Sequence, residues 1–444
     1  MFQGLGAGPP RGSPLFGLSF EEQLFTTSIS FTADMAPWFE RLLFLKDPTW
    51  WKSQPGHPDS LLSAIHPDKH ANIRKALSPG FTTRSLKAQE HLVQKYVNLL
   101  VQRLRERVVE NGSGDLLEID IAPWFHYTTF DIFGELGFGE SFDCLQHSRY
   151  HPWIALLFNS VKAASFVAAT RFYPWLEFLS MKCIPQLLKE MQKDHYNQIV
   201  DKVRRRLSWE LQQPDIMSHL INDNSETLLP LGELDATFMI FTTAGSETTA
   251  TVLTGTLNYL VQNPAKLATL VEEVRGAFKS ELDISIDAVR NLQYLNAVIN
   301  EGLRLCPPVP WMLPRLVPQG GRTVCGVWLP GGTRLSLQPY SLYRNAEKFH
   351  LATTFIPERW LPAASTDPDS PFFQDERASV QPFSAGPRSC MGIHLAWAEM
   401  RLILAKLLLV FDVEAVQGKR LRWEDLRTFL LVEKRPLEVR IRHA

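Results

Sequence analysis

The stretch Phe383-Ser384-Ala385-Gly386-Pro387-Arg388-Ser389-Cys390-Met391-Gly392 places one cysteine just ahead of a helical pattern that begins near Ile393 and runs through Leu395, Ala396, Ala398 and Met400. A thiol in that place meets the positive end of the helix dipole and unpaired backbone N–H groups, both of which favour the thiolate that a metal needs. Gly386 and Gly392 permit backbone shapes or close approaches that a side chain would block, and Arg388 offers a cation to an anionic group. A lone cysteine is more often a buried, inert small hydrophobe. The residues around Cys390 turn the reading toward a metal thiolate.

A second constellation, Ala244-Gly245-Ser246-Glu247-Thr248-Thr249, interrupts a long apolar helix pattern with a glycine, a carboxylate and several hydroxyls. These residues weaken a helix interior, and the Thr248 hydroxyl can bond back to the Ala244 carbonyl, which bends the helix and opens a groove. The plain alternative is a solvent-facing Glu247 among incidental threonines. A third, Glu301 and Arg304, lies three apart on one helix face. Exposed, such a pair contributes only about 0.2–0.5 kcal/mol. Glu301 falls three or four residues from Val298 and Leu305, on the apolar side, which predicts a buried pair in need of a further partner.

Phe-x-x-Gly-x-Arg-x-Cys-x-Gly, complete over Phe383 to Gly392, resembles the haem-binding signature of the cytochrome P-450 family, and the other two stretches match that family in order and approximate spacing. The resemblance implies a mainly α fold with small β-sheets, the haem held between a long distal helix and the helix after the cysteine loop. It implies Cys390 as the axial thiolate, with Phe383, Arg388 and Ala244 against the cofactor. Glu247 and Thr248 would relay protons toward bound dioxygen. Glu301 and Arg304 would join Arg359, from Pro357-Glu358-Arg359-Trp360, in a structural triad. Arg315, in Leu313-Pro314-Arg315, and the pair His70 and Arg74 correspond to haem-propionate contacts, although many members carry Trp where this chain has His70.

The elements that must carry these groups are mostly helical. Apolar residues recur three and four apart over Leu86 to Val109, Trp153 to Val167, Ile184 to Glu210, Leu234 to Gln262, Pro264 to Lys279, Leu295 to Leu305 and His394 to Phe411. Arg322 to Leu329 and Arg334 to Leu337 predict a hairpin about Pro330-Gly331-Gly332, and Leu437 to Ile441 a further strand. Loop-forming residues gather over Met1 to Pro14, Gln212 to Leu231 and Pro362 to Pro382. The last is long for a connection without structure of its own.

Composition narrows the partners. With 46 basic against 47 acidic residues the net charge is −1, which gives nucleic acid no electrostatic footing. Five scattered cysteines without zinc-ligand spacing argue against a disulfide framework. Residues 45–444 are expected to form one haem-thiolate catalytic domain. Residues 1–44 match nothing in the family, so part of the N-terminal sheet and the membrane anchor are expected to be missing. The resemblance places such enzymes on the endoplasmic reticulum surface; without an anchor the chain would be cytoplasmic. A monomer is expected.

Among subgroups the chain is similar to fungal secondary-metabolism enzymes, including trichothecene-pathway hydroxylases, through Pro214-Asp215-Ile216-Met217, Ala244 to Thr251 and Phe130-Asp131-Ile132-Phe133-Gly134. The implied activity is monooxygenation of a lipophilic small molecule, such as a terpenoid or polyketide, with electrons from an NADPH-dependent flavoprotein reductase. Substrate contacts are expected from Trp50 to Ile65, Phe158 to Phe172, Phe238 to Ala244, Val309 to Leu313 and Phe429 to Leu431. The competing readings are a haem-thiolate isomerase, dehydratase or peroxygenase, and a truncated haem binder without catalysis.

Overall fold

The structure, a computed structural model, describes residues 44–444 except 54–55, 113–115, 151–161, 163, 210–212, 222–225 and 312. The N-terminal segment and most of the helix expected over Trp153 to Val167 lie outside the described residues. Residues 164–170 are helical.

Helices dominate. Those of Thr83–Glu110, Leu231–Val261, Pro264–Ala277, Gln293–Leu305 and Ile393–Val410 follow the apolar periodicity of their sequences. The run expected over Ile184 to Glu210 is one helix, Gln186–Leu207, and a separate helix, Pro174–Cys183, precedes it. Pro185 sits at the break, where its missing N–H and fixed φ start a new helix in preference to continuing the old one.

The helix at the centre of the molecule, Ala122–Phe138, has no amphipathic signal because nearly every residue in it is buried. A helix apolar on all sides loses the periodicity by which surface helices are read. It packs against Leu231–Val261, and Asp131 turns the following chain by accepting the N–H groups of Cys144 and Leu145 at 3.0 and 2.8 Å. Asp215 is likewise structural: it pairs with the fully buried Arg206, Nε to Oδ2, at 2.6 Å. Two of the phrases shared with fungal enzymes therefore hold the core together.

The strands are short. Leu45–Lys46, Arg315–Leu316 and Arg334–Leu335 form one antiparallel sheet. Leu117–Asp120 and Phe411–Ala415 flank the C-terminal strand Glu438–His443 in another. The hairpin differs from expectation. Arg322–Val324 pairs with Val327–Leu329 about Cys325 and Gly326, whose φ values of 47° and 77° give the twist that a two-residue turn needs. Pro330-Gly331-Gly332 instead leads to Arg334–Leu335, which pairs with Arg315–Leu316 and so helps to place Arg315.

Pro362 to Pro382 has structure of its own: a helical turn at Ala363–Thr366 and a 3-10 turn at Arg377–Ser379. Arg377 ties it together by donating to the carbonyls of Arg359, Ala364 and Phe372 at 2.6–2.7 Å.

Candidate active site

A cavity of about 910 Å³ lies between the long helix Leu231–Val261 and the helix Ile393–Val410, closed on one side by Pro67–Leu77. Cys390, Phe383, Arg388, His70, Arg74, Arg315, Ala244 and Thr248 all line it. The cysteine loop is held by the Cys390 N–H donating to the Phe383 carbonyl at 2.8 Å, with positive φ at Ser384 and Gly386.

Cys390 opens onto the cavity. Burial by the surrounding protein pushes its pKa up, and the Gly392 N–H and the Arg74 cation only partly oppose this. Placement ahead of a helix therefore does not by itself ionise the thiol, contrary to the expectation from the loop sequence. A metal cation must supply the remaining charge stabilisation, as it does when thiols coordinate.

The strongest electrostatic feature is a group of basic side chains without an anion. Lys46, His70, Arg74, Arg315 and Arg388 all line the cavity, and no ion pair among the described residues neutralises Lys46, Arg74, Arg315 or Arg388. Lys46 is lowered to about 6 by burial and then by the charges of Arg388 and Arg315. His70 is lowered to about 4 by burial, then by Arg388, Lys46, Arg74 and Arg315. Burial and Arg388 bring Arg315 to about 10, and its Nη1 has no hydrogen-bond partner. The other groups are anchored by carbonyls: Arg388 donates to Ala64 and Ile65 at 2.7 and 2.8 Å, Arg74 to Ser389 at 2.7 Å, and Lys46 to Leu62. Buried like charges repel strongly and persist where a counter-charge joins them. The residues thus fit a flat, largely apolar cofactor with a soft thiolate ligand and anionic edge groups, as haem is.

Above Cys390 the long helix presents Ala244, Gly245, Thr248 and Thr249. The Thr248 hydroxyl donates to the Ala244 carbonyl at 2.6 Å at the cavity wall, the kind of back-bond that can bend a helix. Glu247 is not with them. It is buried on another face of the helix, bonded to Lys434, with His126 Nε2 3.5 Å from its second oxygen. Lys434 also donates to Thr251 at 2.8 Å. Burial raises the Glu247 pKa and Lys434 draws it back. Glu247, His126 and Lys434 line a second chamber of about 330 Å³, with Asp120, Tyr150 and Lys162. The helix thus separates Glu247 from Thr248, one residue on.

Glu301, Arg304 and Arg359 are fully buried and meet directly behind the cavity. Arg304 donates to both Glu301 oxygens at 2.7 and 2.8 Å and to the Tyr343 and Thr354 carbonyls at 2.6 and 3.1 Å. The Trp360 indole and the Ile356 N–H complete Glu301, each at 2.8 Å. Sequence reading missed Asp375, which pairs with Arg359 and balances the second arginine.

Of the segments expected to meet substrate, Leu61, Leu62, Ile240, Phe241, Val309, Trp311 and Leu313 line the main cavity. Phe429 and Leu431 line the second chamber instead. Sequence reading also missed Lys46, which stands in a two-residue strand without local signal, and Lys434. Glu399 was missed as well, although a carboxylate between Leu395 and Ile403 interrupts an apolar helix face and is legible as such.

A family model described as cytochrome P-450 matches residues 45–440. The chain is 38% identical over 400 residues to cytochrome P-450 monooxygenase astJ of Aspergillus oryzae, spanning 90% of this chain and 78% of the relative. It is 39% identical to the trichothecene C-4 hydroxylase of Trichoderma arundinaceum over 82% of this chain and 73% of that protein. The fold is similar to the crystal structure of the cytochrome P-450DA haem domain, with a TM-score of 0.74 at 18% identity over 93% of this chain and 86% of that one. The mainly helical architecture with small sheets expected from the sequence is the one observed. By motif, fold and family match, the chain belongs to the cytochrome P-450 family.

Proposed function

We propose that this protein is a haem-thiolate monooxygenase that inserts one oxygen atom of dioxygen into a lipophilic fungal secondary metabolite, such as a terpenoid or polyketide, with electrons from an NADPH-dependent flavoprotein reductase. The observation that carries this reading is the convergence of Cys390, the unneutralised cations and the back-bonded Thr248 on one cavity. Haem supplies the binding and reductive activation of dioxygen. The chain does the rest. Cys390 is the iron ligand, and Arg74, Arg315 and Arg388, with His70 and Lys46 beside them, neutralise the propionates. The apolar wall of Leu61, Ile240, Phe241, Val309 and Trp311 excludes water and selects a lipophilic substrate by shape.

Thr248 holds a proton donor at the groove, its hydroxyl oriented by the Ala244 carbonyl. Glu247 serves from behind the helix, exchanging protons with the second chamber through its Lys434 pair. None of the helices among the described residues is long and apolar enough to cross a membrane.

The test is the difference spectrum of the reduced, carbon-monoxide-bound protein. The red-shifted Soret band of thiolate ligation is expected. Haem-loaded, folded protein without that band would refute both the monooxygenase and the peroxygenase or isomerase readings. Product formed per electron supplied by a reductase then separates catalysis from haem binding alone.

A further inference from the structure

The second chamber, about 330 Å³ in volume, is at the small end of the range for small-molecule pockets. Ala122, Pro123, Phe429, Leu431, Val432 and Pro436 give it apolar walls. Glu247 stands among them, 4% exposed. Lys434 occupies its Oε1, but Oε2 makes no hydrogen bond, and His126 Nε2 is 3.5 Å away, too far for a good one. A buried carboxyl oxygen without a donor is rare in a folded protein. It marks a place where a ligand can supply one.

The charges on the wall balance, with Asp120, Glu247 and Glu433 against Lys162, Lys434 and Arg435. Lys434 is committed to Glu247 and Thr251, and Lys162 pairs with Glu433 beside the Phe429 ring. A charged ligand meets as many repelling groups as attracting ones. The occupant that fits is neutral, apolar in body and equipped with an O–H donor for Oε2. Among the described residues none lines both this chamber and the cavity of Cys390. Phe429 and Leu431 line the chamber, while the Leu430 carbonyl between them accepts the indole N–H of Trp311, on the wall of the main cavity, at 3.1 Å.

We infer that the second chamber is a binding site for a neutral lipophilic alcohol, held by its hydroxyl on Glu247 Oε2 and by its carbon skeleton on Phe429 and Leu431, and filled independently of the main cavity. Lipophilic alcohols are what hydroxylation makes, so the site can hold a product-like molecule while a substrate occupies the main cavity. That link to the product rests on the monooxygenase reading; the site itself does not.

The probe is menthol, and the control is menthone, which keeps the skeleton and loses the donor. Each is titrated calorimetrically into haem-loaded protein whose iron is already occupied by phenylimidazole. One menthol should bind per chain, and menthone about tenfold or more weakly, as expected when a hydrogen bond to a charged group is lost. Leu431→Trp, which fills the chamber from a half-buried position, should remove menthol binding while phenylimidazole affinity and the carbon-monoxide spectrum stay as in wild type. Phe429→Ala, which removes one side of the apolar wall, should weaken it. Competition between menthol and phenylimidazole, equal affinity for menthol and menthone, or menthol binding unaltered in both variants would overturn the inference. If Leu431→Trp does not fold, the two wild-type titrations and Phe429→Ala still decide. Absence of the thiolate spectrum in wild type would instead overturn the monooxygenase reading and the link to the product, with the menthol titration still deciding the site.

Discussion

Arg304→Ala should prevent the protein from reaching its haem-loaded state. The guanidinium is fully buried and satisfies both oxygens of Glu301 together with the carbonyls of Tyr343, Ala352 and Thr354. Removing one partner of a buried ion pair typically costs about 3–5 kcal/mol, because the other charge stays behind. Arg359 remains at 3.2 Å from Glu301, and the Trp360 and Ile356 donors persist, which puts the pair at the lower end. Three buried carbonyls then lose a donor, and each unsatisfied group adds about 1 kcal/mol or more. The combined loss, about 6 kcal/mol, equals the whole stability of many domains.

The assay is soluble yield and haem content per protein, followed by denaturant midpoint on whatever remains. Arg304→Lys should rescue little, since an ammonium cannot span this many acceptors in a planar fork. A soluble Arg304→Ala variant with full haem content and an unshifted midpoint would refute the argument. The same cluster sets an acid limit. Burial works to raise the Glu301 pKa, but the Arg304 hydrogen bonds and the charges of Arg304 and Arg359 hold it below the usual carboxylate value. Its contribution is therefore present above the unfolded carboxylate pKa and lost as pH falls through the lower, folded one.

Cys390→Ser should abolish the thiolate Soret band while the chain stays folded, because a serine hydroxyl remains protonated and binds iron poorly; a normal thiolate band in that variant would make another cysteine the ligand. Arg315→Met should have opposite effects with and without cofactor. Haem-free protein should melt at a higher temperature, as the burial of an unpaired charge and its repulsion with Arg388 are relieved, while haem should dissociate faster; a lower melting temperature in the haem-free variant would show that the cations are already neutralised. Thr248→Ala should keep haem content and substrate-induced spectral shifts but divert electrons to hydrogen peroxide or water, read as product per electron. Thr249 also lines the cavity, so the control is Thr254→Ala, which removes a buried back-bond to Ala250 elsewhere on the helix. Equal coupling in all three proteins would favour chemistry driven directly by peroxide.

Legibility in the sequence followed the range of the interaction. Glu301 and Arg304 were readable as a buried pair because three residues of helix fix their geometry and the neighbours Val298 and Leu305 reveal the face. Cys390 was readable because ten consecutive residues carry its loop. Asp375 was not, since its contact with Arg359 depends on how the long loop folds over itself around Arg377. The helix Ala122–Phe138 was hidden for the opposite reason: burial on every side erased its period. Glu247 shows a different limit. One residue of helix turns a side chain by about 100°, so adjacent residues of a single motif can serve different chambers, and a linear phrase does not tell which.

The cation cluster shows what the structure adds to a motif. Lys46, His70 with Arg74, Arg315 and Arg388 come from four separate stretches of chain; the family resemblance set all but Lys46 at one cofactor, and the structure adds Lys46 to the same wall. Each taken singly would be an ordinary solvated basic residue. Burial first, and after it their mutual repulsion, lowers their affinity for protons, Lys46 most of all, and the buried charge of the arginines opposes folding until an anion arrives. A protein built this way stores part of its stability in the cofactor. By mass action, anything that binds only the folded chain stabilises it in proportion to the logarithm of its concentration over its dissociation constant. The short sheet that sets Lys46 opposite Arg315, with few residues of its own in the core, then depends on the cofactor to hold that pair together.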